Sequence, residues 1–153
     1  MEPVLFEPTM QDAVFAFLQA CIPGTGRSFE PQGRHAALTC IDAAYAGPGQ
    51  GFWCLPDARG RVLGTVGVRH MTHEACEIKT LFVDACLRGQ GYGRRLLDCA
   101  LSFAMQAGYR RAVLDTRSRD FAAIALYKKV GFHETTPYHE NPHADVFMEL
   151  IWE

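Results

Sequence analysis

Arg88-Gly89-Gln90-Gly91-Tyr92-Gly93-Arg94-Arg95-Leu96-Leu97 comes shortly after the apolar run Ile78 to Val83. Glycines at alternate positions leave the backbone N–H groups unshielded. The residues that follow, Arg94 to Ala107, read as a helix with apolar positions at Leu97, Leu101 and Ala104. A strand therefore feeds a glycine-rich turn that opens a helix. Such a turn points several free amide donors and the positive end of a helix dipole at one spot, the arrangement that binds phosphate or pyrophosphate.

Two other phosphate motifs do not fit. A Walker A loop needs Gly-Lys-Ser or Gly-Lys-Thr before its helix, and Gly93 is followed by Arg94 and Arg95. A dinucleotide fingerprint reads G-x-G-x-x-G near the start of a βαβ unit, with an acidic residue about 20 positions on. Here the spacing is Gly89-x-Gly91-x-Gly93, and the run lies past mid-chain.

The stretch resembles the acyl-CoA loop of the GCN5-related N-acetyltransferase (GNAT) superfamily, Arg or Gln, two residues, Gly, one residue, Gly or Ala, which Arg88-x-x-Gly91-x-Gly93 matches. The resemblance extends to Cys76-Glu77-Ile78-Lys79-Thr80-Leu81-Phe82-Val83 before the loop and to Ala123-Ile124-Ala125-Leu126-Tyr127-Lys128-Lys129-Val130-Gly131-Phe132 after it. Three blocks in the family's order cover residues 62 to 134 well and the two ends loosely.

That resemblance implies acetyl-CoA as co-substrate, with its diphosphate on the turn formed by Arg88, Gly89, Gln90, Gly91, Tyr92, Gly93 and Arg94. It implies that a bulge splays the central strand from its parallel neighbour. Backbone N–H groups of Leu81, Phe82 and Val83 would then polarise the thioester carbonyl and pair with the pantetheine amides like an added strand. Tyr127 is the expected general acid for the departing thiolate, set against an ordinary aromatic on the buried face of its helix. Glu77 is the expected base, directly or through water, set against a strand residue paired with Lys79 on the same face.

Seven residues before the tyrosine the family often has an asparagine contacting the cofactor, and this chain has Asp120. The expected resolution is a carboxylate that caps the helix beginning at Phe121. Arg94 and Arg95 are read equally as diphosphate ligands or as solvated surface. His70, His73, His133, His139 and His143 are weaker base candidates. Tyr138, His139 and Asn141 lie in a turn-rich segment that the resembled fold brings toward the acceptor.

The chain has 153 residues, a formal charge of −2 and 48% apolar residues. That length fits one domain, residues 1–153, able to bury roughly 70% of the surface its unfolded form exposes. The charge balance argues against a dedicated nucleic-acid binder. Arg88, Arg94, Arg95, Arg110 and Arg111 are expected to cluster around the loop and its helix. Six scattered cysteines lack the C-x-x-C and histidine spacing of a zinc site, so no metal is expected and the thiols read as reduced and mostly buried. No apolar run approaches the roughly 18 residues of a membrane span, and no signal peptide is evident at Met1-Glu2-Pro3. A cytoplasmic location is the expectation.

Along the chain, strands are expected at Val4 to Phe6, Gly51 to Leu55, Val62 to Met71, Ala75 to Val83, Arg111 to Thr116, Phe132 to Glu134 and Val146 to Trp152. Helices are expected from Pro8 to about Cys21, Gln32 to Tyr45, Arg94 to Ala107 and Phe121 to Val130. A meander followed by strand–helix alternation predicts a mixed sheet with helices on its faces. With it the resemblance implies an α/β (α+β) fold, a mixed, mostly antiparallel sheet of about six or seven strands with about four helices, the GNAT-like acyl-CoA N-acyltransferase fold. The expected activity is acetyl transfer to a primary amine of a small metabolite or amino-acid-like compound. The rivals are acetylation of a protein N-terminus or lysine, and a non-catalytic acyl-CoA sensor. The oligomeric state is open, a homodimer included.

Overall fold

A computed structural model describes residues 1–153. Seven strands, β1 (Val4–Leu5), β2 (Gly51–Pro56), β3 (Val62–His70), β4 (Ala75–Val83), β5 (Arg111–Thr116), β6 (His133–Glu134) and β7 (Val146–Ile151), form one sheet in the order β1-β2-β3-β4-β5-β7-β6. Only β4 and β5 run parallel. The helices are α1 (Gln11–Gly24), α2 (Ile41–Ala44), α3 (Tyr92–Gln106) and α4 (Phe121–Val130). The connection from β4 through α3 to β5 is the crossover that a parallel pair requires.

The alternation of side chains along each strand sorts the residues between two cores. On one face Cys76, Ile78, Ala112 and Leu114 pack with Leu96, Leu97 and Leu101 of α3 and Tyr127 of α4. On the other, Val14, Leu18 and Ile22 of α1 and Ile41 of α2 pack with Phe52 and Cys54. Each fully buried Leu or Ile stabilises the fold by roughly 1.5–3 kcal/mol.

The phase of β4 slips once. Cys76 and Ile78 point to the α3 core, but beyond residue 80 it is Leu81 and Val83 that pack there, while Phe82 packs toward α1. Opposite the slip, Thr65 pairs with Phe82 and Gly67 with Lys79, so β4 carries one extra residue between them. Thr80 sits there with φ of 57°, the only non-glycine residue in the left-handed region, and the buried Thr65 hydroxyl donates to its carbonyl at 2.7 Å. This is the expected β-bulge. The β4–β5 ladder consists of Ala75–Arg111, Cys76–Ala112 and Glu77–Val113 and goes no further, so Ile78 to Val83 have no partner on β5 and the sheet parts.

Two helix expectations need correction. Gln32 to Tyr45 is not one helix: Gly33 and His35 donate to Glu30 O in a turn, Ala36–Thr39 is a single 3-10 turn, and only Ile41–Ala44 is α-helical. The break at Cys40 (φ −149°, ψ 81°) is tolerated because Gln11 of α1 serves both sides of it. Its Nε2 donates to Leu38 O at 3.0 Å and its Oε1 accepts from Ile41 N at 2.9 Å. The first helix does not stop at Cys21. Pro23 lies inside its last turn, where Thr25 N and Oγ1 both donate to Ile22 O and so close the end.

Gly67 tests the packing over the bulge. A Cβ there would lie 2.6 Å from Tyr45 Cε1 and 2.7 Å from its hydroxyl, against a ring that is itself buried. Gly67→Ala should therefore cost about 1–3 kcal/mol through overpacking, read as a lower urea midpoint at unchanged m-value. An unchanged midpoint would mean that Tyr45 moves aside freely.

Candidate active site

The glycine turn lies between the end of β4 and the start of α3. Gly89 and Gly91 adopt φ of 77° and 85°, and a Cβ on either would meet nothing within 4 Å. Open space thus lies over a backbone that only glycine adopts without strain. Gly91 is the N-cap residue of α3, and no backbone N–H from Gly89 to Arg94 donates to a protein carbonyl. Free amides at the positive end of a 15-residue helix fit a diphosphate. Gly93 permits close approach of α3 to α4, since a Cβ there would be 3.3 Å from Leu126 Cδ2.

The arginines around the turn divide. Arg94 pairs with Asp98 at 2.9 Å, and Arg95 pairs with Glu2 at 3.1 Å while lying over the Tyr92 ring, so both are held by surface contacts. Arg88 forms no ion pair within the chain and is the guanidinium left for an anion. Arg110 and Arg111 do not join this cluster. Arg111 opens β5 beside Ala75, at the end of the sheet away from the turn, and pairs with Glu149 at 2.6 Å.

On the α1 side of the parted strands, Glu77 of β4 and Asp115 of β5 face a cluster from the β6–β7 loop. Tyr138 donates its hydroxyl proton to Glu77 Oε2 at 2.7 Å, and Lys79 Nζ lies 3.7 Å from Oε1. His139 Nε2 lies 2.5 Å from Asp115 Oδ2 and 3.9 Å from Glu77 Oε2, and Asn141 donates to Asp115 at 3.0 Å. Tyr138 and His139 pack on Phe147, with ring centroids 5.5 and 6.0 Å away. Burial, with the Glu77 charge adding to it, pushes the Tyr138 phenol far above its usual range, so it stays a donor to that carboxylate. Glu77 therefore keeps the Lys79 neighbour expected of it, and gains partners from 61 residues away.

Asp120 occupies the N-cap position of α4, but its carboxylate makes no capping bond, contrary to expectation. Instead Oδ2 accepts from Arg27 at 2.6 Å and from Thr116 at 2.8 Å, and Oδ1 accepts from Arg117 at 2.8 Å. Arg117 also donates to Thr25 O at 2.6 Å. Two guanidinium groups outcompete a cap because each offers charge as well as a donor. Burial alone would raise the Asp120 pKa, but the Arg117 and Thr116 hydrogen bonds and the Arg27 charge outweigh it and hold the carboxyl well below the usual range.

Tyr127 lies on the buried face of α4, 7% exposed, with Phe132 beside it at 5.9 Å between centroids. Burial, then the nearby Asp120 charge, pushes its phenol up to about 12. Its hydroxyl, unlike those of Tyr109 and Tyr138, makes no hydrogen bond within the chain.

The structure thus puts Glu77 on the α1 side of the parted strands and Tyr127 in the core on the α3 side, within the field of Asp120 and Asp115. It places the turn from Arg88 to Arg94 at the end of β4. Leu81, Phe82 and Val83 lie beyond the bulge with a backbone edge unpaired toward β5. His139, ranked low on sequence, comes into contact with the carboxylates. Asp115, Arg27, Arg117 and Thr80 were not anticipated; only Asp115 left a trace, as an acid in the otherwise apolar run Ala112-Val113-Leu114. The thiols are all free, but only Cys54 and Cys76 are buried and Cys40 and Cys86 are exposed, which corrects the expectation of mostly buried cysteines.

Residues 15–132 match the acetyltransferase (GNAT) family, and the chain belongs to it. It is 36% identical over 107 residues to an uncharacterized N-acetyltransferase of Schizosaccharomyces pombe, covering 68% of this chain and 66% of that protein. Matches to this and two further curated N-acetyltransferases span between 36% and 66% of those relatives' length. Among solved structures, a GNAT-family acetyltransferase from Staphylococcus aureus superposes with a TM-score of 0.89 at 18% identity over 99% of both chains. The ribosomal-protein-S18-alanine N-acetyltransferase of Escherichia coli gives 0.72 at 21% identity over 97% of this chain and 92% of that one. No helix is long and apolar enough to cross a membrane.

The Asp120 hub predicts a pH dependence. A depressed carboxyl pKa stabilises the fold at pH values above the unfolded value of about 3.9, and that contribution is lost as the pH falls toward the folded value. Wild type should exceed Asp120→Asn by roughly 1–3 kcal/mol at pH 7, and the gap should close as urea midpoints are taken from about pH 4 downward. A gap that stays constant into acid would assign the difference to something other than the ionised carboxylate.

Proposed function

We propose that this protein moves an acetyl group from acetyl-CoA to a primary amine of a small metabolite or amino-acid-like compound, by direct attack within a ternary complex. The observation that carries this reading is the placement of two unlike environments on either side of one gap in the sheet. Free amides and Arg88 lie at the β4–α3 turn, and a half-buried carboxylate held by Tyr138 lies on the α1 side.

The thioester supplies an activated acetyl group, and the chain supplies position and proton handling. Glu77 takes a proton from the incoming ammonium, directly or through water, so that the amine lone pair is free to form the new C–N bond. The backbone N–H groups of Leu81 and Val83, which face the split while that of Phe82 faces β3, stabilise the charge that develops on the carbonyl oxygen as the C–N bond forms. As the oxyanion collapses the C–S bond breaks, and the second amine proton neutralises the departing thiolate. Tyr127 donates a hydrogen bond to the departing sulfur. With its phenol near 12, complete proton transfer to a thiolate whose acid has a pKa of about 8.5 is uphill, so hydrogen bonding to developing charge is the larger part of its contribution. Holding amine and thioester together supplies much of the remaining acceleration.

A small acceptor is favoured over a protein chain because the acceptor side is narrowed by contacts. Tyr138 and His139 tie the β6–β7 loop to β4 and β5, and Arg27 and Arg117 tie the segment after α1 to Asp120. An extended peptide would need those contacts to open.

Two variants test the reading. Tyr127→Phe should lower kcat by about 10²-fold or more while the acetyl-CoA Kd changes by less than about twofold; unchanged turnover would remove Tyr127 from the chemistry, whereas acetyl-CoA binding with no turnover in wild type would favour a sensor. Gly91→Glu should abolish acetyl-CoA binding in calorimetry by filling the turn with a side chain and a negative charge. Normal binding would show that the diphosphate lies elsewhere.

A further inference from the structure

Beside the carboxylate cluster lies a polar cleft of about 620 Å³ lined by Arg27, Arg34, Arg117, Arg119, Ser118 and His143, together with main chain and small residues. Four guanidinium groups meet there against one lining carboxylate, Asp145, whose oxygens are already taken by Ser118 N and Oγ at 2.7 and 2.8 Å. Asp120 neutralises part of the charge of Arg27 and Arg117, and Glu30 pairs with Arg34 at 2.9 Å. Arg119 has no ion-pair partner. A protein with a formal charge of −2 has therefore gathered a local surplus of its most rigid cations around one concavity, where like charges destabilise one another unless an anion joins them.

The cleft is contiguous with the proposed acceptor site. His139 and Asn141 touch Asp115, and the next residues, Pro142, His143 and Ala144, line the cleft. One or two residue steps, roughly 4–8 Å of chain, separate the two. Its other wall, Gly26 to Arg34, is the segment between α1 and α2, which belongs to the α1 face and not to the glycine turn.

We propose that this cleft binds an anionic group, carboxylate or phosphate, on the acceptor, so that the amine acetylated belongs to an acidic molecule. The inference rests on the proposed acetyltransferase reading and adds the substrate class. The carboxylates at Glu77 and Asp115 receive the ammonium end, and the arginines receive the anionic end, so a zwitterionic or acidic amine is oriented by opposite charges at its two ends. Arginine suits the task because its planar fork meets both oxygens of a carboxylate or phosphate.

The first test needs no turnover. Protein saturated with CoA is titrated with inorganic phosphate and, separately, with succinate, in wild type, Arg119→Ala and Arg34→Ala/Arg119→Ala, with circular dichroism as a check on folding. The single variant removes a side chain that supports no other residue, so its result stands even if the double variant is unstable. Binding to the CoA-loaded wild type, weakened at least threefold in the single variant and at least tenfold in the double, is the expected result, and the stronger of the two anions identifies the group. No binding, equal binding in the variants, or binding that CoA competes away would overturn the proposal, the last because the cleft would then hold the coenzyme's own phosphate. The second test compares amino acids with their carboxamides, and phosphoethanolamine with ethanolamine, as acceptors. The anionic member of each pair should show at least tenfold higher kcat/KM in wild type, and that advantage should shrink at least threefold in Arg119→Ala. Equal rates for charged and neutral amines would sink the acidic-acceptor inference while leaving acetyl transfer intact. If no amine is acetylated, the enzymatic reading fails, and the phosphate titration still decides whether the cleft is an anion site.

Discussion

A single extra residue in a strand governs this molecule. Thr80 is held in a left-handed conformation that costs a β-branched residue on the order of 1–3 kcal/mol. The strain persists because its surroundings over-determine it: β3 pairs on both sides of the bulge, and Thr65, fully buried, gives its hydroxyl to the Thr80 carbonyl. Below the bulge β4 pairs with β5; above it the two strands diverge, with helix-borne apolar side chains closing the floor of the gap. Without the bulge the phase of β4 would carry Leu81 and Val83 away from the α3 core and drive Phe82 into it. The opening in the sheet is therefore a consequence of packing as much as of hydrogen bonding.

The gap separates two electrostatic environments. At the β4–α3 turn the chemistry is that of main chain, with unpaired N–H groups and one uncommitted arginine. On the α1 face it is that of side chains drawn from distant parts of the chain: Glu77, Asp115, Tyr138 and His139 in one cluster, Arg27, Arg117 and Asp120 in another. The two clusters meet through β5 and the turn after it, since Asp115 belongs to the first, and Thr116 and Arg117 belong to the second. A displacement of this short segment would disturb both, which makes the end of β5 the mechanical link between carboxylates and arginines.

The sequence alone located the elements that local pattern dictates. Ala75–Val83, Arg111–Thr116 and Phe121–Val130 begin and end where expected, because alternation, β-branched residues and the Gly131 stop are local signals. The glycine turn was legible for the same reason: its function is carried by backbone, and glycine spacing announces backbone. What was not legible depends on contacts between residues far apart in sequence. The segment from Gln32 to Tyr45 has helical periodicity, yet it is broken at Cys40, where the Gln11 amide from another helix satisfies the exposed peptide groups. Glu77 could be named only with its neighbour Lys79, because Tyr138 and His139 arrive from a loop whose path no local signal sets. Thr80 carries no mark at all: threonine is an ordinary strand residue, and only the register of β3 against β4 reveals it.

Asp120 shows how far a single departure from a family pattern can reach. An asparagine at that position is neutral and can face a polar group without compensation; an aspartate there adds a negative charge beside the parted strands. The compensation lies in residues that otherwise have no reason to converge, Arg27 from the segment after α1 and Arg117 from the turn before α4. Once they converge, Arg117 also holds Thr25 O, and the segment after α1 is drawn across the mouth of the gap. The same two guanidinium groups form part of the wall of the arginine cleft. The carboxylate therefore does more than substitute for an amide: by pulling two cations into place it ties the segment after α1 to the turn before α4, and it sets how much uncompensated positive charge the arginine cleft carries.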